Sequence, residues 1–220
     1  MSAGFSLNCP LPDDGNEYIT LAHGSGGKAS AWLMDHFIVP CLDNQWLAER
    51  ADAATLLMNG QMVFSTDSFV VSPLFFPGGN IGELAVNGTV NDISMCGGRP
   101  LYLSSSFILE EGFQLSDFWE ILLSIQKACE VAGVKGVTGD TKVVERGKGD
   151  GLYINTSGIG TLHPDSKLGA SYIKEGDAIL LSGSIANHGM AVMSKRKGIE
   201  FESAILSDTR PLNHICLQLI

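Results

Sequence analysis

Apolar residues recur along this chain in two rhythms, and the clearest is helical. Leu115, Phe118, Trp119, Leu122, Ile125, Cys129 and Ala132 fall three or four apart, the spacing that lines one helix face. Ser116 or Asp117 is the expected cap of this helix and Gly133 its stop. A second helix carries Trp32, Leu33, His36 and Phe37 on one face and is expected to stop near Pro40. Ile81, Leu84, Ala85 and Ile93 suggest a third, from Ile81 to about Met95, interrupted by Gly88 and closed by Gly97-Gly98. Four runs read as strands. They are Met62 to Ser65 with Asp67 at its end, Leu101 to Leu109 begun by Pro100, a short one near Gly136–Thr138, and a long one from Leu152 to Leu162. Residues 73–80, with Pro73, Pro77, Gly78, Gly79 and Asn80, read as a loop.

The rhythm changes around His163–Ser171, a polar and turn-rich stretch that marks a domain boundary. Beyond it a buried strand is expected at Ala178 to Leu181, and a helix from near His188 to just before Gly198. Leu212, Ile215, Cys216 and Leu219 begin another helical stripe that stops at Ile220 without a cap. Such a stripe is expected to continue, so the C-terminus reads as truncated. The mixture of elements indicates an α/β (α+β) fold. The expected division is a flexible tail over 1–17, a domain over 18–163, and the start of a second, incomplete domain over 164–220.

With 45% apolar and 17% charged residues, the 220-residue chain can bury a core. A formal net charge of −10 argues against a nucleic-acid partner. It leaves phosphates open, since backbone N–H groups, a lysine or a metal bind them locally. Cys9, Cys41, Cys96, Cys129 and Cys216 are scattered without metal spacing and read as thiols in a reducing compartment. Met1 to Asn16 has no basic start or long apolar run, so no signal peptide and no membrane span is expected. The expected location is the cytoplasm.

Two kinds of segment carry chemistry. His23-Gly24-Ser25-Gly26-Gly27-Lys28 precedes a helix, so its N–H groups and Lys28 could grip phosphate oxygens. It is not a Walker A loop, and by itself reads as a surface turn. Asp67, Asp92 and Asp140 each follow or interrupt an apolar segment, which is costly for an ion unless it is paired or binds metal. Asp67 and Asp140 also suit ordinary strand ends. Asn91-Asp92 within a helix are harder to explain locally. Three acids and a lysine suit magnesium with a nucleotide better than zinc. His23 and His188, beside glycines, could face a ligand, whereas His36, His163 and His214 read as structural or solvated.

These segments resemble the HypE family of hydrogenase-maturation dehydratases. The resemblance rests on His23–Lys28, Phe64–Phe69, Pro73–Gly82, Asn87–Asp92, Phe107–Gly112 and Thr138–Val144, and it runs from about Ile19 to the last residue. The Phe75-Phe76-Pro77-Gly78-Gly79-Asn80-Ile81-Gly82 run is specific to that family. The Asn-Asp and Gly-Asp-Thr-Lys elements belong to its wider superfamily, with aminoimidazole ribonucleotide synthetase, thiamine-phosphate kinase and selenophosphate synthetase. The resemblance implies a two-domain fold like that of aminoimidazole ribonucleotide synthetase, here with its N-terminal domain complete and its second only begun. It implies a homodimer whose strands close a barrel, with ATP and Mg2+ near that interface. Asp67, Asp92 and Asp140 would hold the metal, with Asn91, Gly139, Thr141 and Lys142 also at the nucleotide. Gly24, Ser25, Gly26, Gly27 and Lys28 would fold over it, and catalytic parts fall to Asp92 and Lys142. The implied reaction is ATP-dependent dehydration of a protein-bound S-carboxamide to a thiocyanate, the source of the cyanide ligand of [NiFe] hydrogenase. A HypF-like carbamoyltransferase and the HypC–HypD pair are the implied partners.

Two departures from the family pattern stand out. The terminal proline–arginine–cysteine tail is absent, and Cys216, inside a helical stripe, reads as structural. Asp208-Thr209-Arg210-Pro211 also lacks the two glycines of the second-domain motif. The chain alone is therefore expected to be inactive in turnover. The alternatives are a selenophosphate-synthetase-like enzyme, disfavoured by Ser25 where that family has a reactive cysteine or selenocysteine, and a non-catalytic module that dimerises and recruits partners.

Overall fold

A computed structural model describes residues 17–49, 51, 53–181, 183–199 and 203–220. The tail over residues 1–16, with Cys9, lies outside the described residues. Tyr18 makes a single antiparallel bridge to Gln114, and Leu21–Gly24 forms a 3-10 turn. The first helix runs as α1 (Lys28–Leu33), a π-helical turn (Met34–Ile38) and α2 (Val39–Leu42). It therefore does not stop at Pro40. Val39 N–H donates to Met34 O, and this wider turn lets the chain carry a proline that has no N–H to give. A short helix α3 (Gln45–Ala48) follows, capped by Asn44.

Strand β1 (Met62–Phe69) is longer than the apolar run suggested, so Asp67 lies inside it and not at its end. Residues expected as loop contain a minimal hairpin of β2 (Phe75–Phe76) and β3 (Gly79–Asn80). Helix α4 (Ile81–Met95) passes through Gly88 without a break. A Cβ there would lie 2.6 Å from the Phe69 ring, so this glycine lets helix and strand approach rather than ending the helix. Asn80 caps α4 by accepting from Gly82 N–H, and its Oδ1 also takes the Ser124 hydroxyl.

Strand β4 (Gly98–Glu110) holds Pro100 inside it, beside a register shift, where a residue without an N–H is tolerated. Helix α5 (Leu115–Ala132) starts at Gln114 with no side-chain cap, so neither Ser116 nor Asp117 serves as one. Gly133, at φ 71°, ends it in the left-handed conformation as expected. Strands β5 (Lys135–Val144) and β6 (Leu152–Leu162) complete a four-stranded sheet ordered β1-β6-β4-β5. Only β4–β5 is parallel, joined through α5.

One sheet face presents Leu103, Phe107, Leu109, Leu152 and Ile154 to α4 and α5, and this is the core. Buried Thr89 and Thr156 hydroxyls meet at 2.5 Å, and Thr156 also donates to Ala85 O, pinning α4 to β6. Among the described residues the opposite face is largely bare, touched by Trp46 of α3 at Tyr102. Phe64 is 65% exposed there, and Met62 and Ile108 are exposed too.

Helices α6 (Asn187–Lys197) and α7 (Asn213–Leu219) follow. Ala178 to Leu181 is not the expected buried strand: it has no strand partner, and Ile179 is 92% exposed. Its composition suits a strand, but no neighbour among the described residues takes its backbone hydrogen bonds. In α7, Asn213 is buried and donates to Ala132 O, while Ile215 and Leu219 are exposed. No described helix is long and apolar enough to cross a membrane.

Candidate active site

Strand β1 and helix α4 bring two of the three aspartates together. The Ser65 hydroxyl donates to Asp92 Oδ2 at 2.9 Å. Asp67, two residues along the same strand face, has its Oδ2 3.7 Å from where a Cβ on Gly88 would sit. Gly88 is one helical turn before Asp92, so the two carboxylates face each other across one turn of α4. Both are exposed. Asp67 Oδ1 also accepts from Ser68 N–H, which leaves its other oxygen for a ligand.

Asp140 stands elsewhere. Reading across the sheet, Asp67 is level with Thr156, Ser105 and Gly139. Three strand spacings separate it from that point, about 14 Å. Asp140 also projects to the uncovered face, in register with Ser106 and Asn155, whereas Asp67 is on the helix-covered face. Its Oδ1 takes Lys142 Nζ at 2.8 Å. That hydrogen bond, with the Thr141 N–H, holds the Asp140 carboxyl below the usual carboxylate range. Among the described residues no group of three His, Cys, Asp or Glu side chains is placed to hold a metal ion.

The glycine loop lies beside this second group. A Cβ on Gly24 would strike Val143 N, so the loop packs on β5 next to Lys142. It is tied internally: Ser25 and Ser30 hydroxyls both donate to Ala22 O, and Gly26 N–H donates to Ser30 Oγ. Gly26, at φ +78° with nothing near it, Gly27 and Lys28 remain exposed. The site residues thus fall into two halves at opposite edges of the sheet: Asp67, Asp92 and Asn91 at β1, and residues 24–28 with 139–142 at β5.

Asn91 has a different neighbour from Asp92. Its Nδ2 donates to Arg210 O at 3.0 Å and its Oδ1 accepts from Leu212 N–H at 2.7 Å. His23 is buried and bound by Thr20 at its Nδ1, which makes it structural. His188 Nδ1 meets the Ser207 hydroxyl, and its ring stands edge-on to Phe76. Glu83 and Asn87 were not singled out from the sequence. With Asn91 they form an i, i+4, i+8 polar line on α4, and that spacing was the available signal.

Asp67 and Asp92 suit magnesium, being exposed oxygen donors with free lone pairs. Two carboxylates are fewer ligands than the ion takes, so water, phosphates or a further chain would supply the others.

Residues 50–162 match the family described as AIR synthase related protein, N-terminal domain. The chain is 48% identical over 204 residues to carbamoyl dehydratase HypE of Cupriavidus necator, covering 92% of itself and 58% of that protein. It is 43% identical over 196 residues to HypE of Escherichia coli, covering 86% of itself and 58% of the relative. Among solved structures, a hydrogenase maturation protein HypE in complex with ATP superposes with a TM-score of 0.89 at 47% identity, over 91% of this chain and 60% of that one. A HypE–HypF complex matches with a TM-score of 0.71 at 49% identity, over 85% of this chain and 61% of that one. The chain thus spans about three-fifths of the length of these relatives. It belongs to the AIR synthase related family, and within that family it is similar to HypE along most of its own length.

Proposed function

We propose that this chain binds Mg–ATP for the dehydration of a protein-bound S-carboxamide to a thiocyanate, in the maturation of [NiFe] hydrogenase. The observation that carries this reading is the Asp67–Asp92 pair facing across Gly88, oxygen donors set for a metal that phosphates share. The overall change is R–S–C(=O)NH2 plus ATP giving R–S–C≡N, ADP and phosphate. ATP phosphorylates the amide oxygen, and loss of phosphate and a proton then leaves the nitrile. The protein's part is electrostatic: to hold and neutralise phosphates and to exclude misplaced acceptors.

The same reading makes the site a shared one. The bare sheet face, with Phe64, Met62 and Ile108 exposed, calls for a partner surface. Among the described residues, strands β1 and β5 are the two edges of the sheet. In a twofold dimer that closes a barrel, β5 of one protomer runs beside β1 of its partner. Gly139 and Thr141, on the same sheet face as Asp67, would then come beside the Asp67–Asp92 pair of the other copy, with the glycine loop next to them. A HypF-like carbamoyltransferase would deliver the carbamoyl group, and HypC–HypD would take the cyanide.

Titration with ATP, followed by thermal shift, tests the reading. Magnesium-dependent stabilisation that Asp92→Asn abolishes is expected. Equal stabilisation of parent and variant would overturn it.

A further inference from the structure

The bare sheet face is layered. Thr66, Ser157, Ser104 and Thr138 stand level across its four strands, and Ser68, Asn155, Ser106 and Asp140 form the next level. Side chains alternate between faces along a strand, so all of these project from one side. On one flank of the two rows stand Phe64, Ile159 and Tyr102, and on the other Tyr153 and Ile108. The face is therefore a polar middle between two apolar bands. Part of the middle is already tied: the Ser157 hydroxyl donates to Thr66 Oγ1 at 2.9 Å, and Asn155 Nδ2 donates to Ser68 Oγ at 3.0 Å.

This surface suits a second copy of the chain better than a different partner. Serine, threonine and asparagine both donate and accept hydrogen bonds, so a row of them can meet its own copy. The rows hold one charged side chain, Asp140, and Lys142 neutralises it at 2.8 Å. Two chains of net charge −10 can therefore approach through this face without adding like charges at the contact. Facing sheets pack about 10 Å apart. Large side chains such as Phe64 and Tyr102 reach the middle of that gap, whereas serine and threonine hydroxyls are too short to meet across it. Water bridges such groups at little cost.

We infer that a second copy seats on this face row against row, so that the dimer encloses a layer of water held by these hydroxyls between two apolar collars, with Asp140 and Lys142 inside it. The inference rests on the twofold dimer of the reading above and adds what fills it. The collars supply the apolar burial. The wet layer fixes the relative position of the copies, since hydroxyls slid against an apolar band would be left unpaired. Asp140 and Lys142, which stand apart from Asp67 and Asp92, thereby gain a place in the interface.

Sedimentation equilibrium of the 220-residue chain tests this at Ser106, in the middle of the second row. Ser106→Asn and Ser106→Asp add side chains of nearly the same shape, one neutral and one charged. A wet layer accepts the amide by releasing water, so Ser106→Asn is expected to keep the dimer dissociation constant within about threefold of the parent. Ser106→Asp sets a carboxylate level with Asp140 in both copies and is expected to raise that constant at least about tenfold. Ser104→Asn and Ser104→Asp repeat the comparison in the first row, should a Ser106 variant fail to fold. Dimerisation unchanged by both substitutions would overturn the inference, because the face would then lie outside the contact. Equal loss with both would also overturn it, by showing a dry, close-packed layer. So would a parent chain that stays monomeric at every concentration. Magnesium-dependent stabilisation by ATP is measured on the same parent sample. If it is present while Ser106→Asp dimerises like the parent, the wet interface fails and the nucleotide reading stands. If it is absent while the variants behave as expected, the nucleotide reading fails and the interface stands.

Discussion

The shared site can be tested by mixing two damaged chains. Within one chain, Asp67 and the Asp140 strand are about 14 Å apart by strand spacing, whereas two oxygens on one magnesium, each at 2.0–2.1 Å, are separated by about 4 Å at most. The three aspartates therefore cannot share one ion in cis without tearing the sheet. If β5 of one protomer serves β1 of the other, each site takes Asp92 from one chain and Thr141, on the same sheet face, from its partner. Asp92→Asn and Thr141→Asp homodimers should then each lose ATP affinity at both sites, by about 10- to 100-fold, the loss seen for perturbed metal sites. Coexpressing the two variants changes the arithmetic. With random pairing about half the dimers are mixed, and each mixed dimer has one intact site and one doubly damaged site. The sample should therefore bind ATP tightly at about a quarter of its sites, read by stoichiometric calorimetry with magnesium in excess. A cis site gives a different answer, since every chain in the mixture carries one defect and no tight sites appear. Finding none, in a sample shown to be dimeric and mixed, would refute the shared site. So would a chain that sediments as a monomer and binds ATP fully.

Other expectations concern the frame that holds these groups. Gly88→Ala gains about 1 kcal/mol in helix propensity but drives a methyl into the Phe69 ring, at a cost of about 1–3 kcal/mol. Net destabilisation in denaturant is expected, and adding Phe69→Leu should recover part of it. Thr156→Val removes the hydroxyl that joins Thr89 and Ala85 O, and should cost about 1–3 kcal/mol in the same assay. Burial pushes the Cys129 thiol from 9.0 up to about 12, with Glu130 adding to the shift. The folded chain therefore keeps a proton that the unfolded chain releases above pH 9. Stability should fall by about 1.4 kcal/mol per pH unit between those values, and Cys129→Ala, compared with the parent, should remove that slope.

How far the fold was legible depended on what each residue answers to. The α5 stripe was readable because its partners lie on one side, so burial and periodicity agree. Pro40 and Gly88 were misread as breaks because propensity is local. A π turn accommodates the proline and the Phe69 ring explains the glycine, and neither neighbour is visible in the surrounding residues. The division of the aspartates was hidden for another reason. Thr138-Gly139-Asp140-Thr141-Lys142 has no apolar alternation, so nothing in the run says which side chains face the helices. The register with β4 alone puts Gly139 and Thr141 on one face and Asp140 and Lys142 on the other. Ala178 to Leu181 shows the converse, since strand-like residues do not make a strand without a neighbour to pair with.

Asn91 and Asp92 are adjacent in sequence but about 100° apart around α4, and so they serve different walls. Asp92 faces Ser65 and the proposed phosphates, while Asn91 grips the backbone on both sides of Pro211. Asn91 is thus better understood as the clamp that registers the second segment against helix α4 than as a nucleotide ligand. The two roles separate in one comparison. Asn91→Ala removes two hydrogen bonds, each worth about 0.5–1.5 kcal/mol, and should show as earlier hydrogen exchange and proteolysis of residues 203–220. Its effect on Mg–ATP affinity should be smaller than that of Asp92→Asn. If Asn91→Ala instead abolished ATP binding as fully as Asp92→Asn, with the 203–220 segment still protected, the amide would belong to the nucleotide and the clamp would be incidental.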